Sequence, residues 1–465
     1  MRRVRLPVPA ALFVTLVACN SLGLGVTPGG AQDLGLARDL IASGQVPDQE
    51  HFTAEGLFSE HDLELPGGAC DALLCPRTAA AAYTPLGPDA KPQILVQLGF
   101  ATSVAEPFER ADLDVAAVVD ISCSMSGDKI ELTQEALHAL TDAMDGDDVM
   151  SLVTFGGRAR SRESRVVMDP RGRARMHEAI DRLGIRGSTD LESGMALGYA
   201  QLEPVAGRAS RMMLFTDAQP NTGVTEESRF VSMVRDEADR GAHTTVFGVG
   251  QDLGSELADA IGRVRGGSYH TLAESELGRL FGTELDYLVT PLAYDLEVTV
   301  QGSAELGQVY GAPVDGEAVR FGASTLFLSK RAGGMGATFA VAPEGPVELG
   351  SMTLSWLPVD GDERVETTLD FGWDGGAWRF GADSRSVHHL SGLVDEYRAL
   401  LAAADWCDGA DDPSEQIKAT ADRLSALAEE VSDGTLLAEA QLMLALAENV
   451  GTGRTACAPA DVAIY

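Results

Sequence analysis

The side chains of this chain best suited to bind a ligand are a carboxylate and two hydroxyls at alternate positions: Asp120, Ser122 and Ser124. They follow the apolar run 115–119, which predicts a buried strand, and they precede a helical pattern that begins near Gly127. A strand that ends in this way places hard oxygen donors at the carboxyl edge of a sheet, where open α/β sheets bind ligands. Mg²⁺ takes such oxygens as ligands in proteins, but short Ser/Asp strings are common in loops, so this pattern alone is a weak signal.

Two later stretches carry side chains of the same kind. Gly187-Ser-Thr-Asp190, which contains Thr189, precedes a helical segment, and the apolar strand pattern 211–216 ends in Asp217. Together with the first stretch they resemble the metal-ion-dependent adhesion site of the von Willebrand factor type A family. The resemblance implies that five residues form the metal site: Asp120, Ser122, Ser124, Thr189 and Asp217.

The resemblance continues through 147–155 and 244–250, and it covers roughly residues 112–289. Five separated stretches appear in the family's order, which makes the match specific. Two positions depart from the family pattern, because Cys123 and Ala218 stand where the family usually has Gly. Neither position is a ligand in the family, but Gly allows backbone angles that Cys and Ala do not.

The resemblance also implies how a metal would be held. In the family, hydroxyls such as those of Ser122 and Ser124 ligate directly, and the Asp residues act largely through bound water. Two carboxylates only just neutralise Mg²⁺ or Mn²⁺, so an acidic side chain of a protein partner could complete the shell. The chain is therefore expected to bind a protein ligand that presents Glu or Asp.

Three other interpretations stay open at this point. The Ser and Thr side chains could cap helices in a metal-free loop. A metal could clamp the fold of a purely structural envelope protein. A strand-terminal Asp beside Mg²⁺ also serves phosphoryl-transfer enzymes, but these need a second carboxylate two positions on, where this chain has Ser122. The chain also has no convincing Walker A, Gly-x-Ser-x-Gly or His-Glu-x-x-His motif, so an enzyme is not expected.

The elements around these residues alternate between strand and helix over 111–290, which predicts an α/β fold with a doubly wound, mostly parallel sheet. The expected strands are 115–120, 148–155, 164–168, 211–216, 244–249 and 268–272. The expected helices are 128–144, 173–183, 190–203, 224–240, 254–264 and 274–288. The connection after Phe155 is short, so the third strand is expected to return as an antiparallel edge.

The regions on either side of 111–290 have other patterns. Short alternating segments in 291–385 predict a β-sandwich, and 386–465 predicts three helices. An isolated strand pattern at 93–100, within 92–110, has no helix of its own to pack on. We expect it to pair with the sandwich, so that the α/β domain is inserted into a β domain. Its two ends would then emerge close together, opposite the metal edge.

The first residues have the pattern of an export signal. Basic residues 1–5 precede an apolar run, 6–18, that is too short to span a bilayer as a stable anchor. The run ends in Leu16-Val-Ala-Cys19, which resembles the bacterial lipobox and implies that Cys19 carries lipid. With 1–19 as the signal, residues 20–91 would be a tether, from 20 to about 50, followed by a weakly patterned region, 51–91. The chain is then expected to be exported and held in the cell envelope by its lipid alone.

Composition limits the classes of partner. The formal net charge is −35, which opposes binding to nucleic acid and to anionic lipid surfaces. The hydrophobic fraction of 45% is normal for globular protein, and 465 residues require more than one core.

Export makes disulfides permissible, and five cysteines remain beside Cys19. Cys70 and Cys75 could close a small ring. Cys407 and Cys457 lie at ends of the first and third C-terminal helices. These ends meet if the three helices run up, down and up, so we expect the two cysteines to form a disulfide. Cys123 is left as a thiol in the metal loop. The pair His388–His389 is expected on the surface or in packing rather than at a metal.

Overall fold

The computed structural model describes residues 25–28, 34–67, 70–87, 90–104, 108–205, 207–217, 226–250, 255–310, 314–315, 318–331, 335–339, 346–374 and 385–458. Its strands are β1 (Gly25–Pro28), β2 (Cys75–Tyr83), β3 (Gln93–Ala101), β4 (Asp112–Asp120), β5 (Val149–Phe155), β6 (Arg160–Val167), β7 (Arg208–Thr216), β8 (Ala242–Val249), β9 (Ser268–Leu272), β10 (Pro291–Gly302), β11 (Leu306–Tyr310), β12 (Val314–Asp315), β13 (Ala318–Ser329), β14 (Met335–Phe339), β15 (Val347–Pro358) and β16 (Val365–Trp373). Its helices are α1 (Gly35–Ala42), α2 (Ala54–Ser59), α3 (Asp128–Ala143), α4 (Pro170–Asp181), α5 (Leu191–Tyr199), α6 (Glu227–Ala238), α7 (Ser255–Gly262), α8 (Glu274–Leu280), α9 (Leu285–Leu288), α10 (Arg385–Cys407), α11 (Ser414–Val431) and α12 (Thr435–Gly451).

A six-stranded sheet in the order β6-β5-β4-β7-β8-β9 forms the centre of the α/β domain. All its pairings are parallel except that of β6, which returns antiparallel to β5 at the edge. Helices α3, α4 and α8 pack on one face of the sheet, and α5, α6 and α7 pack on the other. The expected doubly wound, mostly parallel α/β fold is confirmed, including its antiparallel edge.

The α/β domain is inserted into a β-sandwich. One sheet of the sandwich has the order β1-β13-β10-β15-β16, with β12 beside β13, and the other has the order β11-β14-β3-β2. Strand β3 pairs antiparallel with β14, which is the pairing expected for the isolated pattern at 93–100. The chain leaves this sandwich after β3 and returns to it at β10.

The two ends of the α/β domain meet at the amino edge of its sheet. The Arg110 Nε atom lies 2.5 Å from Asp286 Oδ1, and Arg110 Nη2 lies 2.7 Å from Asp148 Oδ2. Asp148 directly precedes β5, whereas Asp120 is the last residue of β4. The ends of the domain therefore lie at the edge opposite Asp120.

The second sandwich sheet is buried on both faces. Ile94 and Val96 of β3 contribute to the core between the two sheets. Leu95 of β3 and Tyr83 of β2 instead contribute to a core shared with the C-terminal helices. The β2-β3-β14-β11 sheet therefore joins the sandwich to the helical region.

The interpretation of residues 20–50 as a tether is wrong for the part that the structure describes. Strand β1 pairs with β13, and α1 buries Ala37 and Ile41 against the C-terminal helices. The Asn449 side chain donates to the carbonyls of Ile41 and Gln45, each at 2.8 Å. Its elements are too short to show a period, yet the segment adds α1 to the expected three-helix group, and α2, which follows it in the chain, joins the same core.

The expected outline also differs in two other places. Strand β2 lies in the region 51–91 that was judged weakly patterned, because its Ala-rich sequence carries little strand signal. The expected single helix 274–288 is divided into α8 and α9. The apolar residues keep a helical spacing across the break, so the sequence periodicity does not reveal it.

Both expected disulfides are present. The Cα atoms of Cys70 and Cys75 are 5.8 Å apart, and so are those of Cys407 and Cys457. Cys123 is a free thiol and is exposed. His388 and His389 are both buried in α10, and the centroid of the His389 ring lies 5.3 Å from that of the His61 ring.

No helix among the described residues is long and apolar enough to cross a membrane. The expected signal sequence, with its lipid-bearing Cys19, lies outside the described residues.

Candidate metal centre

Asp120 is the innermost carboxylate of the site. It is fully buried at the end of β4, where its Oδ1 atom accepts a hydrogen bond from Ser122 N at 2.8 Å. Its Oδ2 atom accepts one from Thr216 Oγ1, also at 2.8 Å. Burial raises the pKa of Asp120 to about 6. The hydrogen bonds from Ser122 and Thr216 lower this pKa, whereas the negative charge of Asp217 raises it. Both oxygens are therefore fixed in position by neighbouring residues.

Ser122 and Ser124 extend from Asp120 towards the surface. Their Oγ atoms lie 3.0 Å apart, with Ser122 buried and Ser124 exposed in a short 3₁₀ turn, Cys123–Met125. The backbone of Cys123 does not have a positive φ, the conformation that would favour Gly. A Cys is therefore compatible with the turn at this position, and its backbone N–H donates to the Gly187 carbonyl at 3.1 Å.

Thr189 is fully buried in the loop between α4 and α5. Arg186 N donates to the Ile121 carbonyl at 2.6 Å, and Asp190 N donates to the Gly156 carbonyl at 2.8 Å. Backbone hydrogen bonds thus tie the Thr189 loop to the loops that follow β4 and β5. The Asp190 side chain is used in a different way, since it caps α5 by accepting from Ser193 N.

Asp217 follows β7, the parallel neighbour of β4, and is fully buried. Its Oδ2 atom lies 3.2 Å from Lys129 Nζ near the start of α3. Its Oδ1 atom is buried and has no hydrogen-bond partner among the described residues. Ala218, the second departure from the family pattern, lies outside the described residues.

The donors present suit a hard divalent cation. The described residues contain no group of three or more His, Cys, Asp or Glu side chains that could hold a metal. The site instead combines two buried carboxylates with hydroxyls, a set of hard oxygen donors. Asp217 Oδ1 is a buried acceptor without a donor, and such an atom is costly to leave uncompensated. The side chains therefore fit a bound cation.

Two residues of the site were missed from the sequence. Thr216 fixes Asp120, and Lys129 supplies a positive charge to Asp217. A hydroxyl at the end of an apolar strand gave a signal for Thr216. Lys129 gave none, because a Lys in the first turn of a helix is ordinarily solvated.

Comparison with known proteins agrees with the fold. Residues 114–280 match the sequence model of the von Willebrand factor type A domain. Uncharacterized protein YfbK of Escherichia coli is 28% identical over 194 residues, which are 40% of this chain and 32% of that protein. Inter-alpha-trypsin inhibitor heavy chain H1 of Sus scrofa is 29% identical over 203 residues, 42% of this chain and 22% of that protein. The chain thus spans a third or less of the length of these curated relatives.

Two solved structures are among those to which the chain is similar. A von Willebrand factor type A protein from Catenulispora acidiphila has a TM-score of 0.45 and 15% identity, and covers 81% of this chain and 91% of its own. Proximal thread matrix protein 1 from the mussel byssus, with a zinc-occupied MIDAS motif, has a TM-score of 0.32 and 21% identity over 38% of this chain and 46% of its own. On its sequence match and its sheet order, the segment 114–280 of this chain is a von Willebrand factor type A domain.

Proposed function

We propose that this chain is a lipid-anchored protein of the bacterial cell envelope that binds a protein partner through a divalent cation in its type A domain. The partner contributes an acidic side chain. The observation that carries the proposal is Asp217 Oδ1, a buried carboxylate oxygen without a donor among the described residues, at the same sheet edge as Asp120 and two serine hydroxyls. A cation at this point would compensate both carboxylates.

Each residue has a distinct part in this proposal. Ser122, Ser124 and Thr189 would hold the ion through their hydroxyls, and Asp120 and Asp217 would supply charge, largely through bound water. The ion, when bound, offers a positive charge and an open position to an anionic oxygen. The deep residues are Asp120, Ser122 and Asp217, whereas Ser124 is exposed. A partner carboxylate would therefore approach from the side of Ser124.

The central experiment is calorimetric titration of the full chain with Mg²⁺, Mn²⁺ and Zn²⁺. The double change Ser122→Ala and Ser124→Ala removes two direct ligands and leaves the sheet core untouched. We expect the affinity for the metal to fall at least about tenfold. Changes to residues that only contact the ligands of a metal already cause losses of this size. Ser126→Ala is the matched control, because Ser126 is exposed in the same loop and is not in the donor set. Equal affinity of wild type and double variant would overturn the proposal.

A second measurement separates binding from the alternatives. Partners retained from envelope extract with Mg²⁺, and released by chelator while the circular dichroism spectrum stays unchanged, support a binding role. A chelator that unfolds the domain would instead favour a metal that only clamps the fold. Turnover of a phosphate ester would favour the enzyme, although Ser122 stands where that chemistry needs a carboxylate.

A further inference from the structure

A cavity of about 230 Å³ lies directly beside the candidate metal centre and has a basic wall. Its lining includes four arginines, which we call the arginine pocket: Arg158, Arg160, Arg162 and Arg186. The remainder of the lining is mostly backbone and small side chains, from Ile121, Thr154, Gly156, Gly157 and Gly187.

The pocket and the metal centre share their loops. Ile121 lies between Asp120 and Ser122, and Gly187 lies two residues before Thr189. The loops also pack closely, since a Cβ added to Gly156 would lie 2.2 Å from the Arg186 carbonyl oxygen. Gly187 has φ of +86°, in the region that favours glycine. A ligand bound at the metal could therefore extend into the pocket without leaving the sheet edge.

The charge of the pocket is unusual for this chain. Asp and Glu outnumber Lys and Arg by 70 to 35, so an exposed arginine has many carboxylates available to it. Nearby Arg165 and Arg175 are paired, with Asp114 and Glu163 respectively. By contrast, the four pocket arginines show no ion pair with any carboxylate in the described ranges. Four like charges that line one cavity repel one another, and an anionic ligand would reduce that repulsion.

The arginines are also partly oriented. Arg162 Nε donates to Thr154 Oγ1 at 2.8 Å, which fixes the guanidinium and leaves its terminal nitrogens for a ligand. Arg160 and Arg162 lie in the edge strand β6 and Arg158 lies two residues before it, and all three line the same cavity. Guanidinium groups bind carboxylates through paired hydrogen bonds, and such charged pairs are the stronger ones.

We propose that the arginine pocket binds a second carboxylate of the same ligand whose first carboxylate reaches the metal. This inference rests on the proposed function. The ligand is then a peptide segment with at least two Asp or Glu residues a few positions apart. A long polyanion is disfavoured, because the net charge of −35 repels it beyond the pocket and the cavity holds only one or two side chains.

The test uses the full chain with saturating Mg²⁺ or Mn²⁺, and calorimetry with two peptides. The first is hexaglutamate, and the second has one Glu among five Gln; both are amidated at the C-terminus, so the second carries a single carboxylate. We expect the Arg160→Gln, Arg162→Gln double variant to bind hexaglutamate about tenfold or more weakly than wild type. Its metal affinity should not fall, because two positive charges near the ion have been removed. The single-Glu peptide should bind wild type and variant equally weakly.

The matched control is Arg182→Gln with Arg240→Gln, which removes the same charge from exposed arginines in ion pairs elsewhere. It should bind hexaglutamate as wild type does. Arg158→Gln with Arg186→Gln is a second pocket variant, for use if the first unfolds. Both of its residues are exposed, and the same loss of affinity is expected.

The outcomes distinguish this inference from the proposed function. If chelator abolishes hexaglutamate binding but the pocket variants bind normally, the pocket assignment is overturned and the metal site stands. If chelator has no effect but the pocket variants lose binding, the arginines bind carboxylates without the metal, and both the metal-dependent function and the two-carboxylate arrangement are overturned. Tighter binding of inorganic phosphate than of hexaglutamate would overturn the carboxylate assignment. No binding of hexaglutamate with any metal would overturn both.

Discussion

At the scale of single residues, Lys129 is the feature that most affects a cation in this site. Its ammonium group lies 3.2 Å from Asp217 Oδ2, so a positive charge already compensates that carboxylate. A divalent ion at the same edge would be repelled by Lys129 and would compete with it for Asp217. Lys129 would therefore lower the affinity of the proposed site for a cation.

Replacing Lys129 by Met should strengthen metal binding. Removing one positive charge near the ion should contribute about 1 kcal/mol, or about fivefold in affinity, at the effective dielectric of a partly buried site. Calorimetry with Mg²⁺ measures the change, and Lys418→Met on the exposed face of α11 is the control. A weaker affinity in the Lys129 variant would mean that Lys129 holds Asp217 in its binding orientation instead.

The thiol of Cys123 offers a second test at this scale. It is free and exposed between the two site serines. A bulky maleimide on Cys123 should block a partner or acidic peptide that approaches from Ser124, and should affect metal binding much less. Calorimetry before and after labelling gives both affinities, and Cys123→Ser, treated identically, is the control. Unchanged peptide binding after complete labelling would contradict this direction of approach.

At the scale of elements, the α/β domain was predictable because each element carries its own signal. Residues 115–119 of strand β4 are a continuous apolar run, as expected for a parallel strand covered on both faces. Helices α1 and α2 have only 8 and 6 residues, and helices this short depend on tertiary packing for stability. Their partners are α10 and α12, hundreds of residues away, which a local pattern cannot show.

The site was predictable only in part, because contacts between distant parts of the chain leave no local pattern in the sequence. Asp120, Ser122 and Ser124 are neighbours in sequence, and the resemblance to a family added Thr189 and Asp217. The arginine pocket depends on the contact between the loops after β5 and after α4. Loop–loop contacts leave no periodic trace, so neither composition nor spacing indicated that four arginines would meet there.

The close contact of these loops predicts a steric requirement at Gly156. A methyl group there would lie 2.2 Å from the Arg186 carbonyl oxygen, so Gly156→Ala should lower the free energy of unfolding by about 1–3 kcal/mol, as overpacking does. Gly146→Ala is the control, because its added Cβ would meet nothing within 4 Å. Urea unfolding measures both variants. Equal stability of the two would show that the loops can separate without cost.

The disulfide Cys407–Cys457 should contribute more stability than Cys70–Cys75. The first closes 50 residues of chain and the second closes 5. On the chain-entropy model the longer loop contributes about 4 kcal/mol, and the shorter one clearly less. Unfolding of the two Cys→Ser double variants compares them directly. A larger loss from the short ring would mean that native contacts, rather than chain entropy, dominate there.

At the scale of the whole molecule, the type A domain is an insertion with a substantial interface to its host. The side chain of Arg211 is buried, donates to Thr245 Oγ1 at 2.8 Å, and lies 5.4 Å from the centroid of the Phe327 ring in β13. Gly266 N also donates to Thr325 Oγ1 at 2.5 Å. The inserted domain is thus packed against the sandwich, with its metal edge on the far side.

The insertion predicts that the host can fold without its insert. Because Arg110 and Asp286 are in contact, a linker of about four to six residues can replace 111–290, given a reach of about 3.3–3.6 Å per residue. The host keeps the sandwich core and the helical core that share the β2-β3-β14-β11 sheet. The host loses the packing of Arg211 against Phe327. We therefore expect a cooperative thermal transition at a lower temperature than in the full chain.

Circular dichroism and peptide mapping decide this last point. The deletion variant should keep its β signal and both disulfides, Cys70–Cys75 and Cys407–Cys457, since both lie within the host. Divalent cations should no longer change its melting temperature, because all five proposed site residues have been removed with the insert. A gradual, non-cooperative transition would contradict the insertion argument, because it would mean that the sandwich needs the type A domain to hold β3 against β14.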